Sequence, residues 1–356
     1  MENNTSLDKV KFVDKKSHNF LKKTGLTGNE ILVTKRGEIG KVYLFKKRTA
    51  YATVAPNLYL LKLNKKINSF FLYCYLLHGA GNTQLIQKNA SSTLGALYKD
   101  DVKSILVPLP PLAEQQAIAE ALGEMDALLA AQRTRLAKQR AVKQGLLQGL
   151  LSGEKRLPGF AGEWEVKRLG EICTLKNGFA FKSSSYTSSG IYSIITITNV
   201  QDGRLDITSV SHISDLPATL QAHHKLVAGD LLISMTGNVG RVCIVNQSDC
   251  LLNQRVGKIV PQHVDAHYLY SLLRSGRFLS EMISQGKGGA QPNIGVSDIL
   301  SFEALVPIDR KEQRAIADVL TEADAHLAAL EAEHAKTQLL KQGMMQNLLT
   351  GKIRLV

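Results

Sequence analysis

With four cysteines in 356 residues and no C-x-x-C pair, the chain has neither a disulfide framework nor a recognisable zinc site. Cys74, Cys173, Cys243 and Cys250 are expected to be reduced, buried thiols. Long apolar runs are missing too. None reaches the roughly 18 residues that a membrane span needs, and Met1-Glu2-Asn3-Asn4-Thr5 lacks signal-peptide character. A cytoplasmic location without membrane contact is the expectation. Catalytic signatures are equally scarce: there is no phosphate-binding G-x-x-x-x-G-K loop, no G-x-G-x-x-G after a strand, no metal-ligand cluster and no nucleophile elbow. His223-His224 has no acidic or cysteine partner at ligand spacing and reads as an exposed loop pair. What remains is a non-catalytic binding protein, with no metal or cofactor of its own expected.

The net charge is +13, unevenly spread. Lys and Arg exceed Asp and Glu by 11 over residues 1–107 and by 2 over 108–157, and they balance over 158–306 and 307–356. A basic segment of this kind fits the backbone of a nucleic acid or, equally simply, a lysine-rich solvated surface.

The chain is duplicated. Glu114–Leu157 and Glu312–Leu355 align without a gap, with roughly half the residues identical. In the first copy Ile118, Leu122, Met125, Leu129, Gln132 and Leu136 step by four and three; Ile316, Leu320, Ala323, Leu327, Leu330 and His334 do so in the second. That spacing is the seam of a coiled coil. Pro110-Pro111 leads into the first helix, and Gly153 and Gly351 stand where left-handed caps belong. About 40 helical residues make a rod of about 60 Å. Segment 158–306 leaves the end of one helix and meets the start of the other, so a compact segment brings those ends together and makes the helices antiparallel. The polar seam residues, His334 among them, are expected to fix register or face a partner rather than act chemically.

The globular segments repeat as well. Asn29–Val42 (NEILVTKRGEIGKV) follows the order of Gly229–Val242 (GDLLISMTGNVGRV), each reading as strand, glycine turn and strand. Lys35, Arg36 and Lys41 in the first hairpin, and Thr236, Asn238 and Arg241 in the second, are candidate DNA contacts. Ala266–Ile283 reads as a helix, and Ser69–Leu77 matches its start. The following loop, Gln285–Asn293, carries Lys287, Gln291 and Asn293. Amide side chains can bond both edges of adenine in the major groove, and glycines allow a close backbone approach. An ordinary surface loop would look the same. Gln254 and Arg255, and the stretch holding Phe179 and Lys182, are further candidates, although Phe179 and Phe181 fit a core equally well.

Taken together, PLPPLAEQQAIA and VPIDRKEQRAIA at the helix starts, LLSGEKRLPGF and LLTGKIRL at their ends, GEWEVKRLGEI after the first helix and the GDLLISMTGNVG hairpin resemble the DNA-specificity subunit of type I restriction-modification systems. The resemblance implies an α+β architecture: two α/β target-recognition domains separated by two long antiparallel helices forming a coiled coil. On this sequence the parts are residues 1–107 and 158–306 for the domains and 108–157 and 307–356 for the spacers. It also implies a bipartite target in double-stranded DNA and two docked methyltransferase subunits, with Ile118, Leu122, Leu129, Leu136, Ile316, Leu320, Leu327 and Leu330 on the coiled-coil and docking seam. In such systems the methyltransferase modifies adenine with S-adenosylmethionine, and an ATP-dependent endonuclease subunit can join.

One departure stands out. The second domain opens at Trp164, but aligning the hairpins puts Leu7 opposite Ile207, so the first domain is expected to lack about 45 opening residues of the pattern. Missing strands leave a sheet edge unpaired. The alternative reading is therefore a truncated regulatory or inactive specificity fragment that binds partner subunits without selective DNA reading.

Overall fold

The computed structural model describes residues 11–47, 49–88, 96–286 and 292–355. The chain forms two compact units, one of Met1–Leu136 with Leu330–Val356 and the other of Ala137–Ala329. The long helices therefore contribute a half to each unit.

In the first unit α1 (Lys15–Phe20) precedes β1 (Ile31–Thr34), β2 (Val42–Leu44) and β3 (Leu58–Leu61), an antiparallel sheet in the order β2-β1-β3. Ile31 and Val33 point into a core with Phe71, Leu72 and Leu85, which come from α2 (Ser69–Leu77) and α3 (Gly79–Gln87). The Asn68 side chain caps α2 by accepting from the amides of Phe70 and Phe71. Next come the short α4 (Lys99–Lys103) and α5 (Leu112–Leu151), whose Ile118 and Leu122 close the core.

The second unit repeats this frame and adds to it. β4 (Trp164–Arg168), the turn α6 (Leu169–Ile172) and β5 (Cys173–Asn177) open it. Then follow β6 (Tyr192–Ile195), β7 (Val200–Gln201), β8 (Arg204–Leu205), β9 (Ser211–Ile213), β10 (Lys225–Leu226), β11 (Leu231–Ser234), β12 (Val242–Ile244), β13 (Cys250–Leu252) and β14 (Val256–Pro261). α7 (Ala266–Leu273), α8 (Gly276–Gln285), α9 (Val296–Leu300), β15 (Glu303–Pro307) and α10 (Arg310–Leu348) complete the series. One sheet runs β12-β11-β14-β5; its first three strands repeat β2-β1-β3 in the same register, Leu231 lying between Ile244 and Ile259 as Ile31 does between Leu44 and Leu61. A second sheet, β10-β13-β6-β9, contains the parallel pair β13–β6, and β15–β4 and β7–β8 form two-stranded ribbons.

Both hairpins turn on paired glycines with positive φ, Gly37 and Gly40 at 87° and 84°, Gly237 and Gly240 at 72° and 78°. Side chains rarely adopt that backbone, which explains the G-x-x-G spacing. The segment Ala266–Ile283 is two helices, not one. Ser275 breaks it, because its side chain accepts from the Phe278 amide and starts α8 afresh.

Within each unit the long helices run antiparallel. In the first unit Lys341 Nζ meets Asp126 at 2.5 Å, and Gln132 Nε2 donates to Thr337 Oγ1 at 3.1 Å with His334 Nδ1 3.2 Å from the Gln132 oxygen. His334 is thus a packing residue. In the second unit Lys143 pairs with Asp324, the repeat-equivalents of Lys341 and Asp126 exchanged between helices. Gly153 and Gly351 take φ of 76° and 72°, and the amides of Lys155 and Ile353 return to the carbonyls of Gly149 and Asn347 at 2.9 and 3.2 Å, closing the helices as left-handed caps.

Candidate nucleic-acid interface

The second unit gathers several candidate residues along one edge. Phe179 continues from β5, its amide donating to the Leu252 carbonyl at 2.8 Å while the Gln254 amide donates to the Phe179 carbonyl at 2.9 Å. This ties the end of β5 to the turn after β13. Arg255, next in that turn, reaches Thr236 Oγ1 at 3.4 Å, and Thr236 Oγ1 donates to Asn293 Oδ1 at 2.6 Å. Backbone pairing between Thr236 and Asn293, with the Gly237 amide on the Pro292 carbonyl at 2.9 Å, pins the far end of the loop that follows α8. Gln254, Arg255 and Asn293 are exposed and Thr236 is buried beneath them. The row offers a guanidinium, two amides and a hydroxyl, all held by backbone hydrogen bonds. Such groups suit base edges and phosphates.

The remaining candidates divide. Lys182 is exposed beyond Phe181, while Phe179 and Phe181 pack edge to face at 4.9 Å, with Phe181 buried. The phenylalanines are therefore structural. Asn238 is exposed on the hairpin turn. Arg241 donates to Gln201 Oε1 at 2.6 Å. Lys287 and Gln291 lie outside the described residues. In the first unit Lys35 lies 5.5 Å from the centre of the Tyr59 ring, Arg36 is exposed and pairs through its backbone with Ala96, and Lys41 pairs with Glu38. Arg36 and Ala96 occupy the positions held by Thr236 and Asn293 in the second unit.

His223 and His224 differ from the exposed pair expected of them. His224 is buried, its Nδ1 accepting from the Gln221 amide at 3.0 Å and its ring packing on Phe179 at 5.4 Å. Burial, with the neighbouring His223 adding to it, holds its pKa below the ordinary value. His223 is half-buried and donates from Nε2 to the Asn177 carbonyl at 3.2 Å.

The seam residues are consumed internally. Ile118 and Leu122 belong to the core of the first unit, Ile316 and Leu320 to that of the second; Leu129, Leu136 and Leu330 are buried and Leu327 is half-buried. They hold the chain together, which removes them from any partner-docking surface. Leu112, Leu128, Leu339 and Leu340 are exposed leucines on the long helices of the first unit.

Two ion pairs that sequence reasoning passed over fasten each unit to its helices. Glu312 takes a two-point contact from Arg156, at 2.6 and 2.8 Å, and a hydrogen bond from Trp164 Nε1 at 3.2 Å. Its repeat-equivalent Glu114 takes the same two-point contact from Arg354, at 2.7 and 2.5 Å. Arg354 holds the Glu114 carboxyl below its usual pKa. The repeats carried the signal: Glu and Arg recur at matched positions in both copies.

Among the described residues no group of three His, Cys, Asp or Glu side chains could hold a metal ion, and no helix is long and apolar enough to cross a membrane. The family described as the type I restriction modification DNA specificity domain matches residues 2–138 and 161–341. The chain belongs to that family. Its relatives include the MjaVIII specificity subunit of Methanocaldococcus jannaschii, 26% identical over 346 residues, covering 92% of this chain and 79% of that one. The EcoBI specificity subunit of Escherichia coli is 23% identical over 320 residues, covering 81% and 66%. In fold, the chain is similar to the type I restriction-modification S subunit from M. genitalium, with a TM-score of 0.59 at 17% identity over 92% of this chain and 84% of that one. A second neighbour, from work on complex assembly and conformational transition of the type I system, gives 0.56 at 18% identity over 91% and 82%. A DNA specificity subunit thus carries two copies of one frame, and the candidate interface lies on the more elaborate copy.

Proposed function

We propose that the chain is the sequence-reading scaffold of a type I restriction-modification complex, and that the second unit reads one half of a bipartite target. The convergence of Gln254, Arg255, Thr236 and Asn293 on one rigid edge carries this reading. Arg255 and Asn293 supply base or phosphate contacts, and the buried Thr236 hydroxyl holds Asn293 in place. The first unit, with Arg36 and Lys35 on the matching hairpin, contributes mainly phosphate contacts, which position a protein without selecting a sequence. Residues 1–107 and 158–306 serve as the two recognition domains and 108–157 and 307–356 as spacers. Exposed helix leucines such as Leu128 and Leu339 face methyltransferase subunits in this arrangement, which operates in the cytoplasm.

Reconstitution with the cognate methyltransferase, followed by mapping of methylated adenines, tests the proposal. A split motif, or one defined half, is expected, and Arg255→Ala or Asn293→Ala should relax that half. Methylation without any motif would sink it. The sheet edge of the first unit, open among the described residues, favours a second reading, a regulatory chain that occupies methyltransferase without selecting DNA. Co-purification with methyltransferase together with loss of selective DNA binding would distinguish it.

A further inference from the structure

In the second unit the stretch Trp164–Asn177 acts as a plug. β4 pairs with β15, α6 turns the chain, and β5 pairs with β14. Leu169, Ile172 and Cys173 are thereby buried against Ile233, Ile259, Ile299 and Phe302. Among the described residues of the first unit both partner positions exist without a plug. β3 stands at the sheet edge where β14 would meet β5, and residues 106–110, at the β15 position, form no strand. Leu106 is 78% exposed. Where the plug would lie there is instead a cavity of about 420 Å³. Its walls include Val33, Leu61, Val102 and Ile105, the counterparts of the four plug-contacting residues just named.

The rim differs in one respect. Lys62, Lys99 and Lys103 replace Val260, Val296 and Leu300, so a cationic border surrounds an apolar floor. We infer that the cavity of the first unit is a receptor for an amphipathic segment of a second polypeptide, built like Trp164–Asn177 and carrying carboxylates opposite the lysines. The register specifies one of them. Val260 faces Thr174 across the β14–β5 ladder, so an acidic residue at the Thr174 position of the incoming strand faces Lys62. Backbone bonds to a free edge supply affinity, and alternate side chains entering the cavity supply selectivity.

The test uses the full chain and a fluorescent, end-capped peptide of the sequence Trp164–Asn177, read by anisotropy and by hydrogen exchange. Saturable binding is expected, with new protection at residues 58–61 and 106–110. A Thr174→Glu peptide should bind about two- to fivefold more tightly, because opposed charges across a ladder are worth a few tenths to about 1 kcal/mol. An Ile172→Asp peptide should bind at least about tenfold more weakly, because it buries a carboxylate in the apolar floor. Val102→Trp fills the cavity and should abolish binding; if that variant fails to fold, the peptide series still decides. Absence of saturable binding, or protection confined to residues 256–261, would overturn the inference. So would groove strands already protected without peptide and exposed by deleting residues 1–13, since the chain's own N-terminus would then be the occupant.

Discussion

The two units begin from the same hairpin, the same capped helix and the same long-helix repeat, yet they bury their equivalent groups to different degrees. Glu312 is 1% exposed in its side chain beneath Trp164, and its partner Arg156 is 30% exposed. Glu114 is 8% exposed, but Arg354 opposite it is 56% exposed. The difference arises from the opening strands. Trp164, on β4, roofs one clamp by donating to Glu312 and stacking on Arg156 at 5.3 Å, and no such roof covers the other among the described residues. A shared frame therefore does not give a shared core; what closes the core is the segment laid across it.

The largest effect that separates the units should come from breaking the roofed clamp. Arg156→Ala leaves the Glu312 carboxylate, 1% exposed, without its cation, and should cost the second unit about 3 kcal/mol, the usual loss when a buried charge loses its partner. Fluorescence of Trp164, the single tryptophan, reports the denaturant midpoint of that unit directly. Arg354→Ala should cost the first unit less, because Glu114 is less buried than Glu312. Equal losses would mean that the roof adds nothing.

Next in size are the DNA contacts. Arg255→Ala should cost about 1–3 kcal/mol on the preferred sequence and relax one position, whereas Arg36→Ala should weaken all sequences alike and lower the salt slope by about 1. Binding titrations on cognate and scrambled duplexes at several salt concentrations separate the two. If Arg36→Ala changed base preference, the division of labour between the units would fail.

A smaller effect concerns pH. Burial lowers the His224 pKa, so an unfolded chain binds a proton there more readily than the folded one does. Its stabilising contribution is complete above the ordinary value of 6.5, declines as pH falls below it, and levels off beneath the depressed folded value. The matching place in the first unit holds Thr24, bonded to Thr53 at 2.9 Å, which does not titrate. Melting curves between pH 7.5 and about 5 should show a larger step in the wild type than in His224→Gln, where His78 of the first unit, its pKa also lowered by burial, still contributes.

Much of the frame was legible because duplication is a long signal. Matched stretches of more than forty residues revealed the helices, their antiparallel sense and the paired hairpins. The second sheet was not legible. β10 has two residues, and β6, β9 and β13 three or four, too short for alternation to register, and their pairing depends on contacts distant in sequence. The candidate site was legible residue by residue but not as an assembly. Thr236 and Asn293 were each candidates, 57 positions apart, and only the fold brings hydroxyl and amide to 2.6 Å. His224 was misjudged because a polar pair in a loop looks exposed, whereas packing on Phe179 buries one ring.

Thiol chemistry sharpens the comparison in the native state. Burial pushes Cys74 in the first unit and Cys173 and Cys243 in the second up to about 12, so none reacts until its surroundings open. Mass-spectrometric labelling at pH 8 should modify Cys74 first if the first unit opens more often. Simultaneous labelling of all the thiols would indicate one cooperative transition.

The most direct measurement is hydrogen exchange at equivalent strands, Leu58–Leu61 of β3 against Val256–Ile259 of β14. Among the described residues β14 is paired on both sides and β3 on one, so β3 amides should exchange about tenfold faster or more in the free chain. Equal protection of the two strands would contradict the claim that only the second unit closes its core.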